Sequence, residues 1–279
     1  MQSLIVFDAD NTLWDANKVF TDAQLALLTS LQDAGLKIDP AEDLATLRST
    51  DMLLGSILER AEYDFRLLVM AMMLIASTGV SKEEAASQVL SDDPSAADLP
   101  PEVIDSSFAS YSEALMQIPP LFPGTKDVLA YIGTCSSKRD PLVTAVLSEG
   151  NEERLEMILQ AHRIRDERYF DEIVIARKSK QAFEEIKAVG IKLLPEPPDQ
   201  VRTLVMMVGD SLHRDIKLAN QADFMTVYKP SRFKGHETPQ EEDEKPDYTI
   251  SALTELPPIL HELGVPVPQM AKVPSAHGA

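Results

Sequence analysis

The sequence predicts an α/β protein, a doubly wound parallel sheet carrying an inserted all-helical domain. Three observations predict it. Short continuous apolar runs recur along the chain, each suited to a strand buried on both faces. Stretches of helical periodicity separate them, and strand–helix alternation of this kind builds a parallel sheet. The alternation is interrupted once, because residues 16 to 118 hold several helical patterns and no clear strand.

Leu4-Ile5-Val6-Phe7 is the first apolar run, and it stops at the polar cluster Asp8-Ala9-Asp10-Asn11-Thr12. In the insertion, Thr21-Asp22-Ala23-Gln24 has capping-box spacing, with Leu25, Leu28 and Leu31 following at helical spacing and Gly35 able to end the helix. Met52 to Thr78 reads as one long helix with Leu54, Ile57, Leu58, Ala61, Phe65, Leu68 and Met72 near one face. Met70, Met72 and Met73 are expected in its core. Ser81-Lys82-Glu83-Glu84 opens a third helix, Ser91 to Pro101 reads as a loop, and a fourth helix covers about Glu102 to Gln117.

Pro119-Pro120 and Pro123-Gly124 mark the return to alternation. Val143–Leu147, Glu172–Ile175, Thr203–Val208 and Met225–Tyr228 are strand candidates. Helices are expected near Glu152 to Ala161, Gln181 to Val189, Ile216 to Ala222 and Leu256 to Leu263. Lys229 to Asp247 reads as a solvated loop. The organisation is therefore a core of residues 1–15 and 119–264, a helical domain of 16–118, and a flexible tail of 265–279.

Composition bounds the partners. Hydrophobic content of 44% and charged content of 25% fit a soluble globular chain. A net charge of -19 argues against nucleic acid or an anionic membrane, both of which favour Lys and Arg. Cys135 is the lone cysteine, so no internal disulfide can form and a reducing compartment, the cytoplasm, is expected. Met1 leads directly into the first strand without a basic region or a cleavable apolar run, so no signal peptide is expected. Leu67 to Ala76 is too short to span a bilayer.

Chemistry is concentrated where the strands end. The first ends at Asp8 and Asp10, the second at Ser148, the third shortly before Lys178, and the fourth at Gly209-Asp210-Ser211. In a parallel sheet these ends share one edge, where ligands bind. Converging carboxylates resist ionising together, and a divalent cation with hard oxygen ligands, magnesium, removes that cost. Such a site suits a phosphate ester. A bare carboxylate facing phosphate is opposed by about 4 kcal/mol per charge pair at 4 Å and an effective dielectric near 20, which a metal and a lysine can cancel. Lys178 is favoured over Arg177 and Lys180 because Ser179 follows it and the helix carrying Phe183 begins just after.

Asp8-x-Asp10-x-Thr12, Ser148, Lys178 and Gly209-Asp210-x-x-x-x-Asp215, in that order, resemble the haloacid dehalogenase superfamily of hydrolases. The resemblance covers about residues 1–15 and 119–262, with the helical block where the family carries its cap. It implies a magnesium-dependent phosphatase acting on a small phosphorylated metabolite. Asp8 is then the nucleophile that becomes an aspartyl-phosphate, and Asp10 the acid that protonates the leaving group and later activates water. Magnesium is held by the Asp8 carboxylate, the Asp10 backbone carbonyl and Asp210. Ser148 bonds a phosphoryl oxygen and Lys178 neutralises the Asp8–phosphate pair. Asp215 orients Lys178 or a metal-bound water, with Thr12 and Ser211 supporting the site. The implied cap opens and closes at linkers near Asp15 and Pro119, excluding water and choosing substrate. Asp223 departs from the pattern, standing where the family often has glycine.

Other functions share parts of this pattern. The family's dehalogenases lack the second aspartate and its phosphonatases carry a small residue there, so Asp10 disfavours both. A sugar phosphomutase shares the motifs. A signalling receiver domain has its phospho-acceptor after a later strand and is far smaller. A silent binding module would not need the full charged set. Cys135 has no neighbouring base, His213-Arg214-Asp215 lacks the glycine-rich loop of a kinase, and Trp14 is expected in packing rather than on substrate.

Overall fold

Six strands lie in one sheet: β1 (Gln2–Phe7), β2 (Leu142–Ser148), β3 (Glu172–Ile175), β4 (Thr203–Gly209), β5 (Met225–Tyr228) and β6 (Tyr248–Thr249). Their order is β3-β2-β1-β4-β5-β6, and every pairing is parallel. The chain winds outward from β1 to β3, then crosses to β4 on the other side of β1, so the winding reverses between β1 and β4. The computed structural model describes residues 1–58, 63–91, 99–134, 141–165, 169–195, 202–231 and 238–265.

Ten helices occur among the described residues: α1 (Ala16–Asp33), α2 (Leu44–Ile57), α3 (Arg66–Thr78), α4 (Lys82–Leu90), α5 (Pro101–Leu115), α6 (Thr125–Thr134), α7 (Glu152–Ala161), α8 (Lys180–Leu193), α9 (Lys217–Asn220) and α10 (Leu256–Glu262). None is long and apolar enough to cross a membrane. The chain divides into two compact units. One holds residues 1–15 and those from Pro120 onward, and the other is Ala16–Pro119.

In the first unit β1 and β2 are buried along their whole length, as their unbroken apolar runs require. One face of the sheet packs Leu4, Val6, Val143, Ala145 and Met207 against Phe183 and Ile186 of α8. The two chain crossings are zipped together by backbone bonds. Asp15 N donates to Pro120 O at 2.8 Å, Phe122 N to Leu13 O at 3.1 Å, and the Thr125 hydroxyl to Leu13 O at 3.0 Å.

The second unit is all-helical among its described residues. Its core gathers Leu27, Leu28 and Leu31 of α1 with Leu47, Leu54, Leu68, Met72 and Met73. Met72 and Met73 are buried and Met70 packs beside them.

The structure redraws several elements. Helix α1 begins at Ala16, so Thr21 lies inside it and the expected capping box does not form; Leu27 takes the buried row and Leu25 is half-buried. The expected helix from Met52 to Thr78 is two helices, α2 starting at Leu44 and α3 at Arg66, with Tyr63 and Asp64 outside both. Tyr63 donates its hydroxyl to Asp51 Oδ1 (2.7 Å) and its ring meets Phe65 (4.9 Å between centroids). An apolar period common to both helices hides such a break. Helix α6 follows Pro123-Gly124 without having been expected. The stretch read as a solvated loop starts with Lys229 and Ser231 buried and contains a turn of 3-10 helix, Glu242–Glu244. Val265 is buried and its N–H bonds Leu260 O, so it closes α10; the expected flexible tail otherwise lies outside the described residues, as does Cys135.

Asp223 has φ 57, the left-handed conformation that glycine adopts without strain and that aspartate reaches more readily than most residues. Gly190 of α8 meets β1 closely, since a Cβ there would lie 2.5 Å from Leu4 Cδ1. Gly190→Ala is therefore expected to lower stability by about 1–3 kcal/mol through overpacking, measured as a shift of the urea midpoint. An unchanged midpoint would mean that the α8–β1 contact yields freely.

Candidate active site

The register of the sheet brings the predicted residues to one edge. Phe7 pairs with Val146 on one side and Val208 on the other, so Asp8, Ser148 and Asp210 leave their strands nearly level. Asp8 N still donates to Val208 O at 2.9 Å, fixing the start of the loop against β4. Asn11 turns that loop with φ 63, a conformation asparagine tolerates better than most residues. Thr12, fully buried, donates its hydroxyl to Asp8 Oδ2 at 3.0 Å.

Lys178 is reached by a short loop after β3. Its N–H donates to Glu149 Oε1 at 2.5 Å, and Ser179 behind it caps α8 by accepting from Ala182 N at 3.1 Å. The Lys178 amine donates to Asp8 Oδ1 and to Asp215 Oδ1, the latter at 2.6 Å. Lys180, the rival lysine, is exposed and pairs with Glu184.

Asp215 arrives on a π-helical turn, Leu212–Ile216, that follows β4. Such turns are uncommon and concentrate at functional sites. Here the wide turn folds Asp215 back beneath the strand end. Its Oδ2 accepts the N–H groups of Asp210 (3.0 Å) and Ser211 (2.9 Å), while Ser211 Oγ accepts from Arg214 N at 3.3 Å. Gly209 makes this possible, because a Cβ there would lie 2.4 Å from Asp215 Cβ. Asp8, Asp210 and Asp215, all buried, each offer a carboxylate oxygen within 4.8 Å of the others.

Burial raises the Asp8 carboxyl to about 7; the Lys178 ammonium pulls it down and the Asp215 charge pushes it up. Burial alone would lower the Lys178 ammonium, but Asp215 and Asp8 together outweigh it and raise it further. Lys178 is thus a fixed cation between two carboxylates.

Asp10 stands apart from this cluster. Its Oδ1 accepts the indole N–H of Trp14 at 2.6 Å, and Arg154 Nη1 lies 3.2 Å from Oδ2 and 3.4 Å from Oδ1. Trp14 is fully buried, as packing predicts, and also touches the site. Ser148 is buried at the end of β2, where its carbonyl accepts from Ala176 N at 3.0 Å. His213 is largely exposed beside Glu244.

Sequence reasoning missed three charged residues. Lys229, buried directly after β5, donates to Asn11 O at 2.8 Å and lies 3.6 Å above the Phe122 ring centroid. The strand-end rule that found Asp8 and Asp210 also points to it. Glu149 pairs with Arg214 (3.1 Å) besides accepting from Lys178, and it sits next to Ser148. Arg154 carried no signal, since a charge in the first turn of a helix normally faces water.

A family model described as haloacid dehalogenase-like hydrolase matches residues 2–223. No curated protein sequence matches the chain. Among solved structures, YfnB of Bacillus subtilis, bound to magnesium, is similar at 17% identity and a TM-score of 0.57, covering 92% of this chain and 97% of that one. A 2-haloacid dehalogenase of Pseudomonas syringae is 20% identical with a TM-score of 0.53, covering 94% and 100%. An HAD phosphatase of Thermococcus onnurineus is 19% identical with a TM-score of 0.51, covering 93% and 98%.

Replacing Lys178 leaves two buried carboxylates without their cation. Lys178→Met is expected to cost about 3–5 kcal/mol at pH 8. The Asp8 carboxyl, already raised by burial, favours folding most below its ordinary range near 4 and loses that contribution as pH rises through about 7. Without Lys178 that loss steepens, so the deficit should be smaller at pH 5 than at pH 8. Urea unfolding at the two pH values checks this, and equal deficits would contradict it.

Proposed function

Because the chain belongs to the haloacid dehalogenase-like hydrolases, we propose that this hydrolase cleaves a small phosphate monoester with magnesium, through an aspartyl-phosphate on Asp8. The observation that supports this most is the Asp8–Lys178–Asp215 network with Asp210 beside it and Asp10 two residues further along the same loop.

The donor set fits a hard divalent cation. Three buried carboxylates lie within 4.8 Å of one another and Lys178 bonds two of them, Asp8 and Asp215, so a further positive charge beside Asp8 and Asp210 would relieve their mutual repulsion. In this reading Asp8, Asp210 and the Asp10 backbone carbonyl hold the magnesium. When bound, it supplies positive charge that offsets the repulsion between phosphate and carboxylate.

The Asp8 carboxylate attacks phosphorus, and the bond to the ester oxygen breaks. Asp10 gives its proton to that leaving oxygen. Asp10 then takes a proton from water as it attacks the aspartyl-phosphate, and the acyl–phosphate P–O bond breaks to release phosphate and Asp8. Lys178 holds Asp8 in place and faces the negative charge that gathers there, while Ser148 bonds a phosphoryl oxygen. Asp215 keeps Lys178 aimed at Asp8. The helical unit, inserted where the family carries its cap, is assigned the choice of substrate.

The Pseudomonas syringae neighbour cleaves a different bond by its name, but Asp10 favours phosphate esters here because they need an acid for the leaving oxygen. The acidity of the chain favours a small metabolite over nucleic acid or a membrane surface.

The wild-type protein should release inorganic phosphate from 4-nitrophenyl phosphate with magnesium and not with EDTA. Asp8→Asn should show no turnover above background. A wild-type rate in Asp8→Asn would remove Asp8 as nucleophile. On sugar phosphates, an isomerised product without phosphate release would identify a mutase.

A further inference from the structure

Among the charged residues of the core, Arg154 is buried yet has no place in the reaction as written. It lies in the first turn of α7, six positions after Ser148. Its backbone is fixed there by the helix cap, with Arg154 N donating to Asn151 Oδ1 at 3.0 Å. From this anchored start the guanidinium reaches across to Asp10. The Arg154 side chain is 9% exposed and the Asp10 side chain 26% exposed.

Asp10 is therefore held from two sides. Arg154 Nη1 lies within 3.4 Å of both of its oxygens, and the Trp14 indole donates to Oδ1 at 2.6 Å. Trp14 cannot give way easily, because it is fully buried and its backbone bridges to both Asp10 and Leu121. An aspartate side chain has only two torsions to begin with, and two fixed donors leave one orientation favoured. The part of the carboxylate that remains exposed is the part able to meet a leaving group or water.

We propose that Arg154 is a positioning residue for proton transfer: with Trp14 it holds the Asp10 carboxyl group in the orientation that serves the leaving oxygen, as acid when the ester breaks and as carboxylate when water attacks. This rests on the phosphatase reading for the role of Asp10. One chain segment, β2 into α7, then supplies both the phosphate-facing Ser148 and the support of the proton donor. Because Arg154 acts through Asp10, its influence depends on the leaving group. An ester oxygen that leaves readily as an anion needs little proton donation, and a poor leaving group needs much.

The test compares kcat/KM, which reports transfer to Asp8, for phenyl phosphate and 4-nitrophenyl phosphate. Loss of a positioned acid typically costs 10²-fold or more. Arg154→Ala should lose about 100-fold on phenyl phosphate and less than about 10-fold on 4-nitrophenyl phosphate. Arg154→Lys, which keeps a cation, should recover most of the difference. Asp10→Asn should show the same discrimination, and the double variant should add nothing further. A merely structural role would lower both esters by the same factor, and that result overturns the proposal.

A second readout needs no turnover. Trp14 is the only tryptophan in the chain, so its fluorescence and near-ultraviolet circular dichroism report the Asp10 contact directly. Arg154→Ala should change both signals in a protein that remains folded, and Arg154→Lys should leave them near wild type. If the Trp14 signals of Arg154→Ala match wild type, Arg154 does not position Asp10. If the wild-type chain releases phosphate from neither ester, the phosphatase reading fails, while the Trp14 signals still decide the Arg154 contact.

Discussion

The buried amine of Lys178 is the group on which the site depends. A charge removed from water loses several kcal/mol of hydration, and only close opposite charge restores it. Lys178 finds that in Asp8 and Asp215 at once. Each carboxylate in turn is tolerable in the interior because of the amine between them. The three positions come from β1, from the loop after β3 and from the turn after β4, so the network can close only when the parallel register is correct.

The surrounding residues follow from that closure. Asp215 must come under the strand end, which the π-helical turn achieves and Gly209 leaves room for. Its second oxygen is then occupied by the N–H groups of Asp210 and Ser211, which sets the direction in which the Asp210 segment runs. Glu149 holds Lys178 by its backbone and reaches Arg214 on the neighbouring turn. Asp10 acts on this network only through its charge, which adds to the rise of Asp8, and takes its hydrogen bonds from Trp14 and Arg154. In the proposed reaction, a nucleophile locked by charge and a proton donor held by hydrogen bonds are different mechanical tasks, and the two side chains take their hydrogen bonds from different partners.

The parallel sheet was legible because its strands are buried on both faces and so read as unbroken apolar runs. The placement of Asp8, Ser148, Lys178 and Asp210 followed from where those runs stop, given the edge rule for parallel sheets, and Asp215 came from the resemblance of Gly209-Asp210-x-x-x-x-Asp215 to the family's motif. Helix boundaries in the inserted unit were less legible. Nothing local distinguishes the start of α1 at Ala16 from a start at Thr21, and an apolar period common to α2 and α3 hides the division between them. Lys229 was hidden by the polar segment that follows it, although its position just after β5 obeys the same edge rule. Arg154 was beyond reach, since only the fold shows that the first turn of α7 faces Asp10 and not water.

The zipped crossings at Leu13–Asp15 and Pro120–Phe122 have a consequence for how such a chain can change over time. The segment from Ala16 to Pro119 leaves and re-enters the core at two backbone positions that are already hydrogen-bonded to each other. The core therefore meets the whole helical unit as though it were a short loop between β1 and α6. Loop-closure entropy grows only slowly with length, and the inserted unit has an apolar core of its own. Lengthening, trimming or exchanging that unit is a change the core scarcely registers, provided that the two crossings still meet. If the helical unit chooses the substrate as proposed, selection can rework that choice while the charged edge of the sheet stays fixed.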